Sequence, residues 1–256
     1  LLRALPKLTR LHLHRWPQTL FEDENLPADK FNLKQQSASS APVAHELQEL
    51  VLECGSDAVF RAISFPTLTS LSLRGVQLPV LDVVLRGCPS LHVLQLNECS
   101  VRFDERKAGK HSRLEKLVLG ERTLMPAEEI AALLLLCAEL RHLKVLAAGS
   151  LALLLPALSA RAPKQLQRLE LTDFHLDPVN SPVDAATLLR LLLRLPSLHF
   201  VRLVDESLSE VALRDVLFRF RQAVPKSQRA FPTFWIGSKR ILYSEGDFFL
   251  DGGRFQ

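Results

Sequence analysis

The sequence is poor in most large side chains other than leucine and phenylalanine. Its 256 residues include one Tyr, one Met and two Trp, although hydrophobic residues make up 47% of the chain. Leucine therefore dominates the apolar residues. A core built mainly from one aliphatic residue predicts a structure that repeats the same packing contact along the chain. The length permits one large domain or two small ones, with a substantial core.

Cysteine is also scarce, and its spacing does not suit a metal. Cys54, Cys88, Cys99 and Cys137 form no CxxC pair, whereas zinc sites usually have ligands at closer spacing. We therefore expect no metal and no cofactor. We expect reduced, buried thiols, which favour an intracellular reducing compartment, the cytoplasm or nucleus, with an organelle left open.

Other absences narrow the classes of function. The sequence has no glycine-rich phosphate loop and no signature that sets a nucleophile against a base, so we expect no enzyme. The apolar run from Ile130 to Cys137 is far shorter than the roughly 20 residues of a membrane helix, so we expect no membrane span. The net charge of +4 is only mildly basic and decides little about nucleic acid.

What the sequence does contain is a repeat. The pattern LxxLxL occurs eight times, twice with valine replacing one leucine. The copies begin at Leu8, Leu47, Leu68, Leu91, Leu114, Leu140, Leu166 and Leu198. From the second copy onward their spacing is 21 to 32 residues, and most values lie in or near the range of leucine-rich repeats.

The spacing within each copy predicts a strand. Alternate side chains of a strand point to the same face, so the fourth and sixth positions face the core, and the first enters it from the preceding turn. Proline, acidic and capping residues between the copies predict helices over 56–63, 79–87, from Pro126, over 150–160, 182–195 and 209–220. We therefore predict an α/β leucine-rich-repeat solenoid, a horseshoe of about eight strand-helix repeats with parallel strands on its concave face. A leucine-rich helical protein is the alternative.

Two regions interrupt the repeat. A polar insertion is predicted near 21–45, with disorder over 35–40. The solenoid is predicted over 1–222, and 223–256 is predicted to be a C-terminal cap or docking tail, in which Phe231, Phe234 and Trp235 either cover the last repeat or bind a partner. Since the chain starts at Leu1, already inside a repeat, we expect a fragment or a processed chain.

The runs Phe65-Pro-Thr-Leu-Thr-Ser-Leu-Ser-Leu and Gly87-Cys-Pro-Ser-Leu-His-Val-Leu-Gln-Leu-Asn-Glu-Cys99 carry a resemblance. They resemble the cysteine-containing, ribonuclease-inhibitor-like repeats of plant-type F-box proteins, over about residues 45 to 205. In that subclass the cysteine after the strand turns inward, which Cys99 fits. The resemblance implies the substrate-recognition arm of a ubiquitin ligase, joined to a Skp-type linker by an F-box. Nothing in residues 1–34 resembles an F-box, so it would have to lie upstream.

Similar repeats also occur in Ran GTPase-activating proteins, ribonuclease inhibitors and scaffold subunits of organellar assemblies, so the fold alone leaves the function open. We expect a non-catalytic protein-protein interaction module. The resemblance implies that this module is the substrate-recognition arm of an F-box-type ubiquitin ligase. The alternative is a structural subunit of a large multiprotein assembly, organellar or ribonucleoprotein. RNA binding at the basic C-terminal residues is the least favoured expectation, and it would use Arg214, Arg219, Arg221, Lys226, Arg229, Lys239 and Arg240.

The predicted concave surface has mixed charge. Its positions three, five, seven and eight carry seven Lys or Arg and seven Asp or Glu. This balance suits a protein partner better than a phosphate backbone. We expect the partner to contact His12, Glu53, Arg74, Gln95, Asn97, Lys144, Glu170 and Arg202. Reversing the charges of Glu170 and Arg202 together is expected to weaken binding without altering the fold.

Overall fold

The computed structural model describes most of the repeat region and part of the tail. The described residues are 7–14, 46–53, 64–78, 81–104, 113–146, 151–172, 185–204, 210–224, 232–236, 239–244, 247–250 and 253–254. The insertion predicted near 21–45, the helix predicted over 56–63, and Cys54 and Phe231 lie outside these ranges.

The described residues form strands and helices in alternation. The strands are β1 (Arg10–His14), β2 (Glu49–Glu53), β3 (Ser70–Arg74), β4 (Gln77–Leu78), β5 (Val93–Asn97), β6 (Ser100–Val101), β7 (Lys116–Leu119), β8 (His142–Leu146), β9 (Arg168–Thr172), β10 (Phe200–Val204), β11 (Thr233–Ile236), β12 (Lys239–Ser244), β13 (Asp247–Leu250) and β14 (Gly253–Arg254). The helices are α1 (Leu81–Gly87), α2 (Ala127–Leu136), α3 (Leu151–Arg161), α4 (Ala185–Arg194) and α5 (Glu210–Ala223).

The strands form one main sheet in sequence order. Nine described strands run parallel as β1-β2-β3-β5-β7-β8-β9-β10-β11, and β12 to β14 continue the sheet antiparallel. Strands β4 and β6 pair in a separate, parallel two-stranded sheet. The predicted α/β class with a parallel sheet is confirmed.

One hydrogen-bonding unit recurs at every junction between copies. The backbone carbonyl at the second position of a copy accepts the N–H groups of the second and third positions of the next copy. Thr9 does so for Gln48 and Glu49, and His199 accepts the third-position N–H of Thr233 in the last junction. Pro232 stands at the second position there and has no N–H to donate. The same register therefore runs from β1 to β11.

Burial follows the predicted positions. In the seven copies from Leu47 to Leu203, the first, fourth and sixth residues are all buried, and they belong to one core cluster that also contains helix residues. In the first copy, Leu8, Leu11 and Leu13 are only partly buried against that cluster. The helices therefore cover the sheet face to which the fourth and sixth positions point.

The described helices lie where proline, acid and cap signals predict them. Helix α2 follows Pro126, whose carbonyl accepts the N–H of Ile130, and carries Glu128 and Glu129 in its first turn. The last helix extends three residues beyond the predicted end at Phe220, to Ala223. Helices α2 to α5 pack side by side in sequence order.

The prediction of about eight strands is short by one. The ninth parallel strand, β11, comes from Phe231-Pro-Thr-Phe-Trp-Ile, which keeps the LxxLxL spacing with Phe and Ile in place of Leu. Phe234 occupies the fourth position and is 1% exposed. A search for leucine and valine alone misses this copy because Phe and Ile stand at the leucine positions.

The three described cysteines are reduced thiols inside the core. Cys88 and Cys137 each lie three residues before the first leucine of a copy, and burial raises the pKa of both thiols to about 12. Cys99 turns inward after β5, and its Sγ lies 3.1 Å from the carbonyl oxygen of Asn97. The expectation of buried, reduced thiols is confirmed for these three.

Candidate interaction surface

The sheet has a second face that no described helix covers, and we call it the open face. It carries the third, fifth and seventh residues of the copies. Strand register aligns the third positions in one row: Arg10, Glu49, Ser70, Val93, Lys116, His142, Arg168, Phe200 and Thr233. The fifth positions form the adjacent row: His12, Val51, Ser72, Gln95, Val118, Lys144, Glu170, Arg202 and Trp235.

At the N-terminal end of the open face, β1 and β2 pair their charges. Arg10 Nε lies 3.2 Å from Glu49 Oε2. His12 Nε2 lies 3.4 Å from Glu53 Oε1, and His14 contacts the other oxygen of the same carboxylate. The hydrogen bond from His14 is the largest cause that lowers the pKa of Glu53. The predicted site residues His12 and Glu53 are thus brought together as partners of each other.

In the middle of the open face, a charged side chain is again paired within the chain. Arg74, at the end of β3, donates from Nε and Nη2 to Glu98 Oε1 at 3.1 and 2.9 Å. Asn97 lies across Gly120, since a Cβ built on Gly120 would stand 1.7 Å from Asn97 Oδ1. Gln95 lies half-buried in the row of fifth positions, between Ser72 and Val118 in register. Of these predicted residues, Arg74 is already paired within the chain, and Asn97 packs closely against Gly120.

Glu170 is the centre of a cluster on β8 and β9. Its carboxylate is only 5% exposed, although it stands on the open face. Arg168 Nε donates to Glu170 Oε1 at 2.6 Å, His142 Nε2 lies 3.2 Å from the same oxygen, and Lys144 Nζ lies 3.8 Å from Oε2. A buried carboxylate is tolerated when it is paired in this way.

The electrostatics of the cluster follow from burial and from these neighbours. Burial acts to raise the pKa of Glu170, but the hydrogen bond and charge of Arg168, with the charges of Lys144 and His142, outweigh it and lower that pKa. Burial lowers the pKa of His142, partly offset by Glu170 and reinforced by the nearby Lys116 charge. Glu170 is therefore held as an anion among cations.

This burial changes the expected outcome of reversing Glu170. A lysine at this position would place a buried cation against Arg168, His142 and Lys144, with no carboxylate left among them. We therefore expect that reversal to damage the fold, so the double reversal of Glu170 and Arg202 would not report on binding alone. Arg202 alone remains a suitable position, because its side chain is exposed.

The C-terminal tail contributes to both faces of the sheet. Phe234 is buried in the core, so it is inaccessible to a partner, whereas its neighbour Trp235 is half-buried on the open face beside Arg202 in register. Phe231 lies outside the described residues. The basic residues considered for RNA fall on different elements: Arg214, Arg219 and Arg221 on α5, and Lys239 and Arg240 on β12, with Lys226 and Arg229 outside the described residues.

Three members of the Glu170 region were absent from the predicted site: His142, Arg168 and Phe200. His142 and Arg168 contact Glu170, and the guanidinium of Arg168 lies 4.1 Å from the centre of the Phe200 ring, a cation–π contact. Aligning the third positions of the copies brings the three residues into one row. The alignment of the repeat copies could therefore have identified these residues from the sequence.

No known protein family matches this chain, and no curated protein is significantly similar to it. In the part of the chain that the structure describes, no helix has the length and apolar character needed to cross a bilayer.

Proposed function

We propose that this chain is a leucine-rich-repeat solenoid whose open face binds a protein partner, without catalysis. The observation that carries the proposal is the contrast between the two sheet faces. One face buries three apolar residues in each of seven copies, in a core that also contains helix residues, and the other carries mainly polar and charged residues over nine described strands. Rows of mixed charge on a rigid, repetitive frame provide the register and selectivity that a protein interface requires.

The finer form of the proposal is the substrate-recognition arm of an F-box-type ubiquitin ligase. It is supported by the inward-turned Cys99 and by the repeat motif around it. A Skp-type linker would then bind an F-box outside this chain. The alternative is a structural subunit of a large assembly, in which the open face would be occupied permanently.

The test is photo-crosslinking from defined positions of the native, full-length protein. A benzoylphenylalanine at Gln95, in the middle of the open face, is compared with one at Phe218, which is 48% exposed on α5. We expect a discrete crosslinked protein from position 95 and none from position 218. Crosslinks from position 218 alone would move the binding surface to the helices and contradict the proposal.

Mass spectrometry of the crosslinked and co-purified proteins distinguishes the ligase arm from the structural subunit. A Skp-type linker and a cullin beside the crosslinked partner support the ligase arm. A fixed set of subunits in equal amounts, without such a linker, supports the structural subunit.

A further inference from the structure

The C-terminal half of the open face differs from the N-terminal half in charge. On β7 to β10 its third and fifth positions carry Lys116, Lys144, Arg168 and Arg202, which we call the basic strip, against the one carboxylate of Glu170. With four positive charges and one negative charge, these strand positions have a net charge of +3. The same rows on β1 to β3 hold Arg10 and Glu49, whose charges cancel, beside His12.

The cations of the strip differ in whether they are paired with a carboxylate. Arg168 and Lys144 contact Glu170, yet their side chains remain 47% and 33% exposed. Among the described residues, Lys116 and Arg202 form no ion pair, and they stand at the two ends of the strip. The buried carboxylate thus orders the centre of the strip and leaves a net positive surface over it.

An apolar border adjoins the Arg202 end of the strip. Phe200 precedes Arg202 by two residues on β10, and Trp235 lies next to Arg202 in register on β11. Both aromatic side chains are half-buried. Neighbouring strands are about 4.8 Å apart, so the distance from Lys116 to Trp235 spans roughly 19 Å, which an extended chain of about six residues covers.

We propose that the basic strip and its aromatic border bind an extended acidic peptide segment that carries at least one large apolar side chain. The inference rests on the proposed function and names the chemistry of the partner. Carboxylates of the segment would pair with Lys116 and Arg202 and with the exposed faces of Lys144 and Arg168. Its apolar side chain would pack on Trp235.

The same observations disfavour a nucleic acid. A phosphate backbone is bound by displacing counterions along many cations, whereas the strip offers four and sets Glu170 among them. Aromatic rings bind single-stranded bases by stacking, but the Arg168 guanidinium already lies over the Phe200 ring. Charge complementarity therefore selects a short acidic polypeptide.

The experiment measures binding of a fluorescein-labelled peptide of six Glu and two Leu residues to the full chain by fluorescence anisotropy. The variant Lys116→Glu/Arg202→Glu changes the strip while leaving the contacts of Glu170 intact. The matched control, Arg161→Glu/Lys164→Glu, makes the same change of net charge at two exposed positions, the last residue of α3 and a residue of the following turn, away from the open face. We expect the strip variant to bind at least about tenfold more weakly and the control to bind within about twofold of the parent chain.

A second readout reports on the aromatic border. The chain has two tryptophans, so Trp16→Phe leaves Trp235 as the only one. In that background we expect the acidic peptide to change the emission of Trp235, and a Lys-for-Glu version of the peptide to leave it unchanged.

Equal affinities of the strip variant and the control overturn the inference. So does tighter binding of an eight-nucleotide oligouridylate than of the acidic peptide, which would assign the strip to RNA. If either result occurs while the partner still crosslinks to position 95, the inference fails and the proposed function stands. Absence of the crosslink at position 95 would instead contradict the proposed function itself.

Discussion

At the scale of single residues, the same types of charged side chain have two roles on one surface. Glu170 needs its polar partners because a buried carboxylate without partners is costly, so Arg168, His142 and Lys144 are partly structural. Lys116 and Arg202 stand outside that set. Whether a charged side chain is structural or available to a partner depends on how deeply it is buried. The repeat pattern predicts the row in which a side chain lies, but not its burial.

The first prediction concerns Glu170. Glu170→Gln removes the anion that Arg168 and His142 contact, and we expect it to lower the free energy of unfolding at neutral pH by about 1–3 kcal/mol. Urea denaturation followed by circular dichroism measures the change. Glu128→Gln, an exposed position on α2, is the control and should change the stability little.

The acid dependence should change as well. The pKa of Glu170 is lower in the folded protein than its ordinary value of 4.5, so its carboxylate stabilises the fold above that value. This contribution is lost as the pH falls through the lower, folded pKa. Glu170→Gln lacks it, so the difference in stability between parent and variant should shrink on acidification. A difference that is constant across the acid range would contradict this account.

At the scale of elements, β11 shows most directly how one strand serves both faces. Phe234 enters the core and Trp235, the next residue, lies on the open face. The alternation is the same as in the leucine copies, although the residues are aromatic.

The second prediction compares these two neighbours. Phe234→Ala should lower the free energy of unfolding by about 3–5 kcal/mol, because it leaves a cavity in the core. Trp235→Ala should change it by much less, since its side chain is already partly in solvent. Thermal or chemical denaturation of both variants measures the contrast, and equal losses would show that β11 is placed in a different register.

The sequence allowed most of the parallel sheet to be predicted, because LxxLxL determines both the strand and its buried side, and Pro126 marks the start of α2. The ninth strand was missed for a physical reason: Phe and Ile fill the leucine positions, and Pro232 suggests a break in a strand. For the candidate site, the rows followed from the spacing. The burial of Glu170 and the close approach of Asn97 to Gly120 did not, since both depend on neighbours contributed by other copies.

At the scale of the whole molecule, each copy packs mainly on the copies before and after it. The antiparallel strands β12 to β14 extend the sheet beyond β11, and Ile241 of β12 joins the core. Without these strands, the last parallel strand would expose apolar side chains and open backbone groups.

The third prediction follows from that arrangement. A chain that ends at Val224 loses Phe234 and Ile241 from the core, and each buried side chain contributes about 1.5–3 kcal/mol. We expect a clear fall in the melting temperature and association through the exposed edge of β10. A chain that ends at Ser244 retains both residues and is the control. Identical melting temperatures and monomeric behaviour of the two shortened chains would contradict the role assigned to the tail.

The hydrogen-bonding unit at the second position of the copies has a consequence for how the chain acquires its structure. Each unit joins copies that are neighbours in sequence, so the loops that must close are short compared with the whole chain. Ordering can begin at any adjacent pair and spread toward both termini, one copy at a time. We therefore expect folding to be limited by the pairing of neighbouring copies rather than by a search for distant partners, and nascent chains to gain order before the last copy is synthesised.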